Sequence, residues 1–234
     1  MANYRQSGFP GFPPAIRNLI IINFIVWFIE ITVSGNWFEN LFALHDIRGS
    51  YFRIWQFFTY MFLHDPKDVM HIIFNMFALW MFGGVLENFW GSKRFTWFYL
   101  ICGVGAGLIY SAITFFHNTN LVNQLVDENP GVPFALEQAR DIVFNNSILG
   151  ASGAVFGVLV AFGYSFPNTE MIIIPIPVPV KAKYLVIGYI LIELFGGVRD
   201  RPGDNVAHFA HLGGALVGFL LVRFWNKTNR RDFY

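Results

Sequence analysis

Six stretches of this chain are apolar for the length of a membrane crossing, or nearly so, and they limit the possible folds more than any other feature. They cover residues 15–33, 70–85, 95–116, 147–166, 184–197 and 205–224. A hydrocarbon core of about 30 Å is crossed by about 20 residues of α-helix. Inside it every backbone N–H and C=O must be bonded within the protein, so spanning segments are helices or strands of closed barrels. The third and fourth stretches contain no charged side chain. The second and fifth are short, and the fifth carries Glu193, so both depend on their neighbours in a bundle. The expected fold is all-α: a polytopic membrane protein, one domain over residues 1–234 with a six-helix core over 15–224.

Composition narrows the function classes. Charged residues make up 13% of the chain and hydrophobic ones 55%, against about 25% charged in soluble domains. A net charge of +1 without a basic run excludes a nucleic-acid binder, and so apolar a chain is not disordered. The one cysteine, Cys102, has no partner for an internal disulfide and is expected to pack in the core. No small-residue cleavage pattern follows the first apolar run, which is therefore expected to be retained.

Six crossings place both termini on one side. That side holds Arg5, Arg17, Lys93, Arg94, Lys181, Lys183, Arg223, Lys227, Arg230 and Arg231; the other holds Arg48, Arg53, Lys67, Arg140, Arg199 and Arg201. Ten against six orients the termini to the cytoplasm. Of the external loops, 34–69 is rich in aromatic residues and suited to the bilayer interface. Residues 118–146 are polar and acidic and read as a surface insertion.

Polar side chains inside apolar helices are costly and mark functional candidates. Here they are few: His71 and Asn75 in the second helix, Ser152 in the fourth, and His208 and His211 in the sixth. These three helices all enter from the external side. At 1.5 Å per residue Asn75, Ser152 and His211 come out level, roughly 7–9 Å below that boundary. A hydroxyl, an imidazole and an amide at one depth are the parts of a nucleophile, its base and an oxyanion donor. Gly150, Ala151, Gly153 and Gly157 strip bulk from the fourth helix, and Gly214 and Gly218 follow His211 at +3 and +7, so these two stripes are suited to close contact. Phe156, one turn below Ser152, is placed to hold an imidazole ring. No acid is evident at that depth, which makes the expected array a dyad.

The residues alone leave other readings open. A serine in a glycine-rich membrane helix is more often there for packing, and His208 with His211 has the spacing of two metal ligands, although no Glu or Cys supports a metal. The HExxH, GxSxG and Walker patterns are absent, as is a pair of embedded aspartates.

With GASG around Ser152, HxxxN from His71 to Asn75, and AHLGGxxxG around His211, the chain resembles the rhomboid family of intramembrane serine proteases, bacterial type. The resemblance spans 54–218. It takes in FLH ending at His64, Glu87 and Gly91 at the close of the second helix, and the 94–99 stretch opening the third. It implies Ser152 as nucleophile, His211 as general base, and an oxyanion site from the Ser152 and Ala151 N–H groups with His71 and Asn75. Gly153, Phe156, Gly214 and Gly218 are the supporting residues. The family's Trp-Arg pair is replaced by Trp55 and Gln56, and His208 is extra.

The expected activity is hydrolysis of a peptide bond in or near a transmembrane segment of another membrane protein, with no cofactor and no metal. Its partners are transmembrane substrates and the lipid bilayer, and the expected location is the bacterial cell membrane, with the site opening to the external face. The hinge-rich loop 197–204 is suited to gate access. The alternative is a catalytically silent protein of the same fold that binds unstable membrane helices. A transporter ranks last, because the lower parts of the fourth and sixth helices are apolar.

Overall fold

The computed structural model describes residues 12–33, 35–129, 135–173, 176–198 and 205–228. Helices occupy all six apolar stretches: α1 (Pro14–Thr32), α2 (Val69–Trp90), α3 (Ser92–Glu128), α4 (Ser152–Ser165), α5 (Ala182–Val198) and α6 (Asn205–Thr228). By length and composition α1, α2, α3 and residues 208–226 of α6 are able to cross a membrane. At 14 residues α4 is shorter, and ten of its residues are buried between the surrounding helices. A helix sheathed by protein has no need to match the full bilayer thickness.

Local chemistry sets the helix ends. Asp68 caps α2, its carboxylate accepting from the Met70 and His71 N–H groups at 3.0 and 3.3 Å. A π-helical turn at Leu79–Gly83 interrupts α2, and Gly91, at a positive φ of 80°, ends it and starts α3. The Glu87 carboxylate near the end of α2 accepts the Ala15 and Ile16 N–H groups, both at 2.8 Å, and the Ser92 hydroxyl at 2.6 Å. One buried side chain thereby satisfies two orphan donors at the start of α1 and ties three helices together.

Besides α2, which runs on past residue 85 to Trp90, three features differ from expectation. The third helix continues to Glu128 rather than ending near 116, because its polar extension is held by a further helix, Ala135–Phe144, that folds back on it around Val122, Ala139, Val143 and Phe144. The insertion is thus a helical hairpin. Second, α4 begins at Ser152 rather than at 147. Ser147–Ile148 forms a strand, β2, paired antiparallel with β1 (Leu44–His45), and Gly150 at φ 134° turns the chain into the helix. Third, a small antiparallel ribbon of β3 (Glu170–Ile173) and β4 (Ile176–Lys181) joins α4 to α5. Its alternating prolines fit a two-stranded ribbon, where each strand has an unpaired edge.

The first loop is pinned by polar contacts. Gln56 is fully buried; its amide donates to the carbonyls of Asn40 and Tyr51 at 3.1 and 2.9 Å, and its oxygen accepts from the His45 N–H at 3.3 Å. Arg48 pairs with Asp46 at 2.7 Å, donates to the Thr119 hydroxyl, and lies over the rings of Phe115 and Phe144, linking the loop to the hairpin. Burial works against the Asp46 charge, but hydrogen bonds from Arg48 and Asn118 outweigh it and hold the carboxyl below its ordinary range.

The small-residue stripes of α4 and α6 meet. A Cβ on Gly214 would overlap the Gly153 carbonyl, and one on Gly218 would lie 2.7 Å from the Gly157 Cα. Backbone therefore rests on backbone over two turns. Gly218→Val forces these helices apart and is expected to cost about 1–3 kcal/mol, read as a lowered thermal midpoint in detergent.

Candidate active site

Ser152 is the first residue of α4, and its position follows from the glycine turn before it. Gly150 donates its N–H to the Tyr60 carbonyl at 3.0 Å, and its positive φ of 134° suits glycine. A side chain there would also collide: a Cβ would lie 2.9 Å from His71 Nε2 and 3.7 Å from Ser152 Oγ. The His71 ring and the Ser152 hydroxyl flank the same glycine. Ala151, fully buried, is the N-cap of α4. The first-turn N–H groups that follow have no acceptor within the helix and sit at the positive end of its dipole.

Close packing of α4 on α6 brings His211 to Ser152. His211 Nε2 lies 2.7 Å from Ser152 Oγ. The Phe156 ring stacks on the His211 imidazole, centroids 4.5 Å apart and planes 7° from parallel. Both Ser152 and His211 are half-buried, so the pair is not sealed from its surroundings.

The expectation that no acid stands level with this pair is corrected by the structure. Glu193 Oε2 on α5 lies 2.9 Å from His211 Nδ1 and 2.6 Å from His208 Nδ1. The signal was present in the sequence as an ionisable residue within an apolar helix. Glu193 lies five residues before the end of α5 and His211 six after the start of α6. Counts of five and six from the shared connection put the two within about 1.5 Å of one level. The doubt about a metal also changes, since His208, His211 and Glu193 offer three ligand atoms within 4.8 Å of one another.

Asn75 is buried, and its amide donates back to the His71 carbonyl at 2.9 Å, fixing the side chain along α2. The Asp65 N–H and His71 Nδ1 are 3.5 Å apart. His64 packs edge-on to His71, ring centroids 5.0 Å apart; it is fully buried and, among the described residues, neither ring nitrogen has a hydrogen-bond partner. Burial, with the His71 ring beside it, pushes the His64 imidazole down to about 3. Most of the proposed gate, from residue 199 to 204, lies outside the described residues.

The family model for the rhomboid domain matches residues 51–227. The chain belongs to the rhomboid family. Among curated relatives, Rhomboid protein 1, mitochondrial, of Saccharomyces cerevisiae is 30% identical over 162 residues, 69% of this chain and 40% of that protein. Rhomboid protease GlpG of Pectobacterium atrosepticum is 25% identical over 226 residues, 93% of this chain and 66% of that protein. Rhomboid protease AarA of Providencia stuartii is 25% identical over 219 residues, 87% of this chain and 69% of that protein. This chain therefore spans from two fifths to about two thirds of the length of these rhomboid relatives.

The matched region contains every residue of the cluster, from His64 to His211. It begins at Tyr51, whose carbonyl the buried Gln56 holds. In this rhomboid the amide at position 56 fastens the loop through carbonyl groups.

His64 gives the fold a pH dependence. The unfolded imidazole titrates near 6.5 and the folded one near 3. The unfolded state binds the extra proton between these values, so stability is present above 6.5 and is lost as pH falls. His64→Leu should remove up to one proton from that dependence, about 1.4 kcal/mol per pH unit, measured by melting wild type and variant across pH 4–7.

Proposed function

We propose that the chain is an intramembrane serine endopeptidase that cleaves transmembrane segments of other membrane proteins, with Ser152 as nucleophile and His211 as general base. The observation that carries this reading is the 2.7 Å approach of His211 Nε2 to Ser152 Oγ at the start of α4. A serine hydroxyl is a weak nucleophile until a base within hydrogen-bond reach removes its proton. Membership of the rhomboid family supports the same assignment, as do relatives whose names describe them as rhomboid proteases.

The reaction runs as acyl transfer. Ser152 Oγ attacks the scissile carbonyl while its proton passes to His211 Nε2. The carbonyl oxygen takes up negative charge, and the Ser152 and Ala151 N–H groups, with His71 and Asn75, stabilise it. His71 is suited to this by its place against Gly150. His211 then protonates the leaving amine, and a water activated by the same imidazole releases the acyl group. Phe156 keeps the ring in plane throughout.

A substrate helix protects its carbonyls through its own hydrogen bonds, so the cut falls where Gly, Pro or another weak helix former loosens it. In this reading the protein sits in a cell membrane with cytoplasmic termini, the site opens to the external face, and the loop 197–204 gates entry.

Fluorophosphonate labelling of the detergent-purified protein tests the assignment. Wild type should label; Ser152→Ala should not, and His211→Ala should label at least 100-fold more slowly. A folded wild type that fails to label overturns the protease reading in favour of a silent binder of unstable membrane helices.

A further inference from the structure

We propose that Glu193 completes the array as a positioning residue: its carboxylate on α5 selects the tautomer of His211 that can act as a base and faces the charge that this ring acquires. The inference rests on the assignment of Ser152 and His211 above and adds a third helix to it.

The argument begins with which atoms can donate. A carboxylate only accepts hydrogen bonds. Glu193 Oε2 stands 2.9 Å from His211 Nδ1, so the ring nitrogen supplies the hydrogen. A neutral imidazole carries one N–H, which leaves the lone pair on Nε2, 2.7 Å from the Ser152 hydroxyl. The opposite tautomer would turn an N–H toward the serine and could not take its proton. As the Oγ–carbon bond forms, the hydroxyl proton moves to Nε2 and the carbonyl π pair moves to oxygen. The imidazolium keeps its Nδ1–H on Glu193, which remains ionised and takes no proton. When the carbon–nitrogen bond breaks, the Nε2 proton leaves with the amine. Glu193 is about nine-tenths buried, so its charge is weakly screened where the imidazolium forms.

The surroundings are shaped to hold the carboxylate. His208 Nδ1 reaches the same oxygen at 2.6 Å from one turn earlier on α6. The ring fits because position 196 is glycine: a Cβ there would lie 2.6 Å from two ring atoms of His208. Glu193 and Gly196, three apart, share the face of α5 that meets α6. The extra histidine thus gains a role: it fixes the carboxylate that in turn fixes His211.

The same three atoms offer a site to a divalent cation such as zinc. A metal on His211 Nδ1 would force the proton to Nε2 and silence the base, so a chelator would raise the rate if a metal held the site and leave it unchanged if Glu193 acts alone.

The test measures fluorophosphonate inactivation of the full chain in detergent, resolving the maximal rate from the reagent's half-saturation, with thermal melts alongside. The set is wild type, Glu193→Gln, Glu193→Asp, Glu193→Ala and His208→Ala, each with and without EDTA. Glu193→Gln keeps the shape and should lower the maximal rate at least tenfold, with half-saturation within threefold and an unchanged melt. Glu193→Asp restores a carboxylate and should recover at least threefold over Glu193→Gln; His208→Ala should lose less than Glu193→Ala. An unchanged rate in Glu193→Gln, or no recovery in folded Glu193→Asp, overturns the proposal while the Ser152 assignment stands. A wild-type rate that rises more than threefold on chelation also overturns it, in favour of a metal site. A wild type that does not label overturns both readings.

Discussion

The site depends first on how closely two helices approach. Ser152 and His211 lie on α4 and α6, and a 2.7 Å separation between their side chains is available only because glycine meets glycine along the seam below them. Lipid gives no hydrophobic drive to press helices together, so this seam relies on van der Waals packing between bare backbones. A single methyl at Gly214 would enter the Gly153 carbonyl, one residue from the serine. Packing and the Ser152–His211 geometry are therefore set by the same contact.

Around that seam the protein satisfies its backbone with side chains drawn from distant parts of the chain. Glu87 caps α1 from the end of α2, Gln56 binds carbonyls across the first loop, and Tyr60 donates its hydroxyl to the Gly103 carbonyl on α3 at 2.8 Å while its own carbonyl receives Gly150. Irregular backbone near membrane depth is stable when it is buried in protein in this way. Such contacts tie down the loop before Ser152 and with it the position of the hydroxyl.

Much of this was legible in the sequence. The six apolar stretches mark six helices because length and hydropathy are local properties, and the level placement of Ser152 and His211 follows from helical rise counted from a common boundary. The stacking of Phe156 follows from its being one turn below the serine. Other features were hidden for physical reasons. α3 runs on to Glu128 because a partner helix covers a polar extension that hydropathy alone ends early. The two ribbons are short and their pairing is non-local. Glu193 escapes a depth count taken from helix starts because α5 ends, rather than starts, at the boundary where α4 and α6 begin, and the bond of Asn75 back to His71 depends on a rotamer.

Ser152, Glu193 and His211 come from three successive helices, α4, α5 and α6, and the His211 imidazole comes last in the chain. During synthesis Ser152 and Glu193 therefore emerge before His211. On the proposed assignment the array is incomplete until α6 has been made. The Ser152–His211 contact forms only when the final helix packs against α4 and the glycine seam closes, so in the proposed protease completion of the fold itself acts as the safety catch.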